Sequence, residues 1–231
     1  MNKKLGVLGG MGPMATVDFV KRIVEKSPAC SDQEHMSMII SNDPLIPDRT
    51  KHILENGENP LKKMLNNLVN LKESGATKVV IPCNTAHYWL DKLSCNERVS
   101  FISIIDAVMN EAGRRSMRRV GVLATNATIQ TGIYTKAIES RGMKALMPSK
   151  HEQQLVMEGI YCVKAGKIAE GRALMEPVFD SLIKKGAEGV VLGCTEIPLA
   201  FDTLPVDKME KALDSLDLLA DQCVNYYYYE A

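Results

Sequence analysis

Apolar and polar positions change period along this chain, from runs that suit buried strands to stripes that suit helices. "KLGVLGG" (residues 4–10) is a continuous apolar run closed by glycines, the pattern of a strand entering a turn. "MATVDFVKRIVEK" (14–26) follows, with Val17, Val20, Ile23 and Val24 at helical spacing. "MSMIISNDP" (36–44) reads as a second strand ending in a turn. "PLKKMLNNLVNLKESGA" (60–76) sets Leu61, Met64, Leu65, Leu68 and Leu71 on one stripe, with Gly75 where glycine ends a helix. "KVVIPCN" (78–84) is a third strand, too continuously apolar to lie on a surface. The alternation predicts an α/β protein with mostly parallel strands and crossover helices.

The pattern also repeats. "MEPVFDSLIKKGAEGVVLGCTEIP" (175–198) aligns with "MLNNLVNLKESGATKVVIPCNTAH" (64–87), so that Gly186 falls on Gly75, Val190 and Val191 on Val79 and Val80, and Cys194 on Cys83, 194 − 83 = 111 positions apart. Upstream, "VGVLATNATIQT" from Val120 matches "LGVLGGMGPMAT" from Leu5, at 120 − 5 = 115. Two similar offsets predict a duplicated unit: a first α/β domain from residues 1–100 plus 211–231 and a second from 101–210. A C-terminal helix, "MEKALDSLDLLADQCV" (209–224), is expected to pack on the first half.

Composition narrows the class. A chain of 231 residues, with 45% hydrophobic and 24% charged residues, is long enough for one large domain or two small ones and falls in the ordinary globular range. Lys plus Arg and Asp plus Glu are both 28, so no overall field favours nucleic acid or an anionic membrane. "RRSMRR" (114–119) reads as a solvated turn before a strand. The glycine-rich start lacks a signal's apolar core, and no run approaches the ~20 apolar residues of a membrane helix; a cytoplasmic protein is expected. The six cysteines form no C-x-x-C pair and suggest no metal site, and Cys30, Cys95, Cys162 and Cys223 read as structural thiols.

Cys83 and Cys194 differ from these. Each ends a strand and leads into polar residues, and ligands of parallel α/β sheets lie outside the carboxyl ends of the strands. If two like halves pack about an approximate two-fold axis, the thiols face each other across one cleft; the bland alternative is a pair of buried thiols inherited by duplication. A thiol with an ordinary pKa of about 8.5 needs little tuning for one member of a pair to be thiolate near neutral pH. Such a pair can take a proton from one face of a carbon and return one to the other, as racemisation requires. His87, four residues after Cys83, can tune the thiolate or cap and pack. Glu196 can orient a thiol, steer a substrate ammonium or lie on the surface.

The segments "GVLGGMGPMATVDF", "DQEHM", "NDPLIPDRT", "PCNTAHY", "GVLATNATIQTGIY" and "LGCTEIPL" resemble the cofactor-independent aspartate/glutamate racemases, the aspartate racemase branch in particular. The resemblance implies two pseudo-symmetric α/β domains, each a mostly parallel sheet flanked by helices, with the active site in the cleft between them. It also implies a homodimer, an acidic amino-acid substrate, no pyridoxal phosphate or other cofactor, and Cys83 and Cys194 as the acid/base residues. Asn84, Thr85, Thr128 and Thr195 match residues that hold the α-carboxylate and amino group, and Arg49 and Lys164 match positions associated with the distal carboxylate. A bidentate arginine suits that task, although from sequence alone Arg49 and Lys164 read as surface charges. Met11, in the first loop, and Glu196 complete the candidate substrate contacts. Glutamate racemases usually carry Asp-Ser after the first strand and a histidine after the second Cys-Thr, where this chain has "GGMGP" and Glu196. Hydantoin racemases, maleate isomerases and arylmalonate decarboxylases share the broader fold; retention of both cysteines favours racemisation.

Two other classes compete. Gly10, Gly12 and Ala15 satisfy a G-x-G-x-x-A dinucleotide fingerprint, with Asp32 about 20 residues on, but the repeat partner "LATNATIQT" has no glycine. A non-catalytic amino-acid sensor needs the pocket without the thiols. The "NYYYYEA" terminus can pack at a subunit interface, cover the core or fray.

Overall fold

The computed structural model describes residues 3–97 and 99–230; for 96 and 97 the backbone alone is described. The chain divides into two compact units, the described residues up to Ala107 together with those from Leu216 onward, and Val108–Ser215. One division falls within the helix Ile104–Arg114 and the other after the first residue of the helix Ser215–Tyr228.

The elements of the first unit are β1 (Leu5–Gly9), α1 (Pro13–Lys26), β2 (Met38–Asn42), α2 (Arg49–Glu55), α3 (Leu61–Glu73), β3 (Lys78–Val80), α4 (Leu90–Glu97), β4 (Phe101–Ile102) and α5 (Ile104–Arg114). Its parallel sheet has the order β2-β1-β3-β4. The second unit holds β5 (Arg119–Ala124), α6 (Asn126–Thr131), α7 (Ile133–Glu139), β6 (Lys144–Leu146), α8 (Lys150–Lys164), α9 (Ile168–Lys184), β7 (Gly189–Gly193), α10 (Ile197–Phe201), α11 (Val206–Met209) and β8 (Ala212–Asp214). Its parallel sheet has the order β6-β5-β7-β8. Each sheet therefore reverses strand direction of growth between its two central strands, β1 and β3 or β5 and β7. In open α/β sheets that reversal marks the binding crevice.

β1 and β7 are buried along their whole length, which is why their sequences are continuously apolar rather than alternating. In the first unit, Leu5 and Val7 pack with Phe19 and Ile23 of α1 and with Leu216, Leu219 and Cys223 of α12 (Ser215–Tyr228). On the opposite face Leu8 meets Met64, Leu68 and Leu71 of α3 and Trp89. In the second unit Leu123, Val190 and Leu192 pack against Val156 and Ile160 of α8 and Met175, Phe179 and Leu182 of α9.

The duplicated segments reappear as duplicated hydrogen bonds. Gly75 and Gly186 both turn the chain out of a helix at positive φ, 92° and 96°. The N–H of Ala76 reaches Leu71 O at 3.0 Å, and that of Ala187 reaches Leu182 O at 3.0 Å. Thr77 N–H then donates to Lys4 O, as Glu188 N–H donates to Arg119 O.

Several expectations shift. In α1 only Ile23 of the four spaced residues is buried; Val17 and Val24 are exposed, and the buried face is Ala15, Thr16, Phe19 and Ile23. Pro13 at the first helical position and the aromatic Phe19 set that face, which an aliphatic count misses. The expected helix 209–224 is two elements, because Ala212–Asp214 is the fourth strand of the second sheet and the helix begins at Ser215. "RRSMRR" is a turn into β5, with Ser116 at φ 54° in the place glycine usually takes. Cys223 is a core thiol, whereas Cys30 and Cys95 lie on the surface. The dinucleotide fingerprint fails on placement. Asp32 lies in an exposed 3-10 turn before β2 rather than at its end. Gly10 has a packing reason, since a Cβ there would lie 2.2 Å from Asp43 O.

The tyrosine run is the end of α12. Lys3 donates to the Tyr226, Tyr227 and Glu230 carbonyls, the acceptors a helix C-terminus leaves unpaired. Tyr228 OH donates to Glu34 O at 2.9 Å, and Tyr227 OH accepts from Ser37 N–H at 3.2 Å. Of the three alternatives left open, fraying does not describe Tyr226–Tyr228; Ala231 lies outside the described residues. No helix among the described residues is long and apolar enough to cross a membrane.

Candidate active site

Cys83 stands three residues past β3, its N–H bonded to Ile81 O at 2.8 Å. Its side chain is buried in the cluster that also holds Met11, Ile46 and Trp89. Asn84 and Thr85 are buried beside it in sequence, and a 3-10 turn, Thr85–Trp89, carries the chain into α4.

His87 lies in that turn with both ring nitrogens committed. Nδ1 is 2.9 Å from Cys83 O, and Nε2 is 3.1 Å from the Ile104 N–H at the start of α5. A backbone N–H must find an acceptor, so Nε2 is unprotonated and Nδ1–H donates to the carbonyl. Burial outweighs that bond and the pull of Asp106, and brings the imidazole pKa down to about 4. His87 is thus a neutral clamp between the Cys83 loop and α5. Of the two roles left open by sequence, the geometry gives it capping and packing, without a charge to tune the thiolate.

Arg49 is the first residue of α2, whose N-cap Asp48 accepts from Lys51 N–H at 2.8 Å. The side chain is 9% exposed, not the surface charge that composition suggests. Nη1 donates to Ile46 O at 3.0 Å and Pro47 O at 2.9 Å, and among the described residues no carboxylate pairs with it. A buried cation held by two neutral carbonyls keeps the capacity to receive an anion. Its loop is fixed by a pair that sequence inspection did not single out: Asp43 accepts from Asn67 of α3 at 2.8 Å and from Leu45 N–H at 3.0 Å. The Asn67 bond is the largest influence holding the Asp43 carboxyl below its usual range. "NDP" is a recognisable side-chain-capped turn signal, but its partner on α3 has no local signature.

In the second unit Cys194 follows β7 directly and is 6% exposed. Its Sγ–H donates to Glu196 Oε2 at 2.9 Å. Thr195 Oγ1 reaches the same oxygen at 3.4 Å, and Lys164 Nζ, at the end of α8, lies 3.9 Å from Oε1. Burial foremost, and then the Glu196 charge, push the Cys194 thiol well up; Lys164 opposes them. Glu196 is buried, and its carboxylate is engaged with the thiol, the hydroxyl and the lysine.

Thr128 is buried one turn into α6, where Thr125 caps the helix by accepting from Thr128 N–H at 3.2 Å and donates its own hydroxyl to Thr128 Oγ1 at 3.0 Å. Ala124, just before, pairs with Gly193, so the α6 start and Cys194 lie at adjacent strand ends. Gln153 of α8 ties this corner down with bonds to Ala124 O at 2.9 Å and Asn126 Oδ1 at 2.8 Å. Thr125 and Gln153 were not among the sequence candidates; the S/T-x-x pattern signals the first, and nothing local signals the second. Among the described residues no three His, Cys, Asp or Glu side chains are grouped to hold a metal ion.

Each strand-end corner thus offers a buried thiol with hydroxyl or amide neighbours, able to exchange a proton. The model of the family described as Asp/Glu/hydantoin racemase matches residues 8–223. The chain belongs to that family. Among solved structures, this racemase-family chain is similar to the aspartate racemase of Picrophilus torridus, with 30% identity, a TM-score of 0.87, and 98% of this chain and 94% of the other covered. It is also similar to an aspartate racemase homologue from Pyrococcus horikoshii, at 25% identity and a TM-score of 0.78, covering 98% and 99%. The broad specificity amino-acid racemase RacX of Bacillus subtilis is 26% identical over 230 residues, 96% of this chain and 97% of that protein. The expected fold class, parallel sheets flanked by helices in two units, is the fold found here and in these neighbours.

Proposed function

We propose that this chain interconverts the enantiomers of an acidic amino acid, aspartate first and glutamate second, without a cofactor, by proton transfer through Cys83 and Cys194. The observation that carries the reading is the burial of one thiol just past the second central strand of each sheet, at the position where such sheets bind ligands. One thiolate takes the α-proton and the other thiol delivers a proton to the opposite face, so the two groups exchange roles with the enantiomer bound. Asn84, Thr85, Thr128 and Thr195 hold the α-carboxylate and amino group; Arg49 and Lys164 receive the distal carboxylate. Membership of the racemase family and the likeness to the Picrophilus torridus aspartate racemase support aspartate. The similarity to RacX supports testing a wider set of amino acids.

The decisive measurement is optical rotation of L-aspartate, then L-glutamate, with purified protein and no added cofactor. Decay to zero rotation is expected with aspartate as the faster substrate; unchanged rotation with both acids sinks the reading. Arg49 tests the substrate class. Arg49→Ala removes a charge-assisted contact of about 1.5–3 kcal/mol, so KM for aspartate should rise about 10- to 100-fold. Equal losses for aspartate and alanine would exclude a role for Arg49 at the distal carboxylate.

A further inference from the structure

The loop that carries Arg49 and the glycine loop after β1 meet at one residue. Asp43 follows β2 directly, and its backbone lies so near Gly10 that a Cβ there would stand 2.2 Å from Asp43 O and 2.5 Å from Asp43 N. Gly10 is itself fixed, because its N–H donates to Thr16 Oγ1 at 2.9 Å and the Thr16 hydroxyl donates to Gly12 O at 3.0 Å. Asp43 therefore has a rigid surface on one side.

From the other side Asn67 of α3, 8% exposed, donates to Asp43 Oδ2 at 2.8 Å. Leu45 N–H donates to Oδ1 at 3.0 Å, and Lys63 Nζ lies 3.3 Å from Oδ2. The carboxyl these donors face is held below its usual range, so it is ionised and the Asn67 bond is charge-assisted. The connection continues along the loop: Asp43 O accepts from Ile46 N–H at 3.4 Å, and the Ile46 and Pro47 carbonyls are the two groups that hold Arg49 Nη1. A run of single bonds thus leads from Asn67 through Asp43 and Ile46 to the guanidinium.

Resting on the reading above of Arg49 as a receiver of the distal carboxylate, we propose that Asn67 is a positioning residue for recognition of an acidic side chain. By holding Asp43 against the glycine loop it fixes the carbonyls that aim the guanidinium. Arg49 can pair with a carboxylate in a defined geometry only if it is placed beforehand, and a loop that must be ordered on binding loses affinity. Asn67 itself touches neither substrate nor thiol in this role. A bond that only tied α3 to the end of β2 would support the fold without any particular relation to Arg49.

The experiment is a set of steady-state measurements with L-aspartate. Asn67→Ala should raise KM about tenfold, the low end of what a hydrogen bond to a charged group contributes, with kcat within about twofold of native. In an Arg49→Ala background the same substitution should change KM by less than about twofold, because a residue that acts through Arg49 then has nothing to position. Exchanging the pair, Asp43→Asn with Asn67→Asp, puts the donor on the loop and the acceptor on α3, and should return KM to within about threefold of native. Urea unfolding followed by the fluorescence of Trp89, a residue of the same unit, sets conditions under which every variant compared is folded. A loss from Asn67→Ala that multiplies onto that of Arg49→Ala, or a fall in kcat at unchanged KM, overturns the proposal and spares the racemase reading. Should Asn67→Ala not fold, the exchanged pair decides: a native KM supports the role, and a folded protein with KM as high as that of Arg49→Ala overturns it. A native chain that racemises no acidic amino acid overturns the proposed function, and this role of Asn67 with it.

Discussion

The corner after β3 and the corner after β7 share a backbone plan and differ in the residues that follow the cysteine. Both follow a helix closed by glycine at positive φ, and both belong to sheets of the same strand order. Past the strand the likeness stops: Cys83 leads into a 3-10 turn clamped by neutral His87, and Cys194 sits against the Glu196 carboxylate. The first-strand loops diverge as well, Gly10 being pressed against Asp43 backbone while its counterpart Thr125 caps α6. Duplication thus preserved the frame that sets a thiol at a strand end and let the residues after it vary.

Removing the thiols one at a time presses hardest on this contrast. Cys83→Ala and Cys194→Ala should each lower racemisation by about 10²- to 10⁴-fold, the usual worth of a positioned acid or base. In heavy water each variant should still wash out the α-proton of one enantiomer, and the two variants should choose opposite enantiomers. Exchange through Cys194 in C83A should rise with pH, because burial and Glu196 push the Cys194 thiol up. Washout of the same enantiomer by both variants, or interconversion undiminished in either, breaks the assignment.

The thiols were legible because they combine a strand-end pattern with a repeat, and both are short-range signals. Strand and helix order was legible for the same reason: β1, β3, β5 and β7 are continuous apolar runs, and α3 buries Met64, Leu68 and Leu71 of its predicted stripe. β8 was not, since three residues of an edge strand inside a charged stretch carry too little pattern to interrupt a helical reading. The environment of each thiol was legible only as a choice. Whether His87 is charged depends on the Ile104 N–H, 17 residues away, and on burial. The pairing of Asp43 with Asn67 spans 24 residues and two elements, and periodicity does not report such contacts.

His87 gives the next largest effect, and it belongs to one half alone. Its folded pKa of about 4 lies below the ordinary 6.5, so the unfolded chain binds the proton more readily. The sign follows: the stabilisation is fully present above pH 6.5 and is lost as pH falls from 6.5 through about 4, amounting to roughly 3 kcal/mol by the lower end. The chain has one tryptophan, Trp89, buried two residues away, so its fluorescence during urea unfolding reports on this unit. His87→Gln should be less stable than the native chain at pH 7, and the gap should narrow by pH 4. A gap independent of pH would mean that protonation of His87 is not linked to unfolding, and a gap that widens toward pH 4 would mean that the ring is charged in the fold.

The smallest effect tests what the halves still share. Gly75 and Gly186 hold φ values of 92° and 96°, and neither has backbone crowding its missing Cβ: the nearest atoms are Lys4 Nζ at 3.7 Å and the Arg119 guanidinium at 3.2 Å, both ends of flexible side chains. The cost of alanine at either site is then the cost of the backbone conformation itself, about 1–2 kcal/mol. Gly75→Ala should lower the urea midpoint seen by Trp89, and Gly186→Ala should lower the midpoint of the second unit seen by circular dichroism, by comparable amounts. Equal costs follow if the duplicated helix-to-strand turn is the same physical object in both places. A cost at one site only would show that the repeat survives there as sequence and no longer as a shared constraint on the chain.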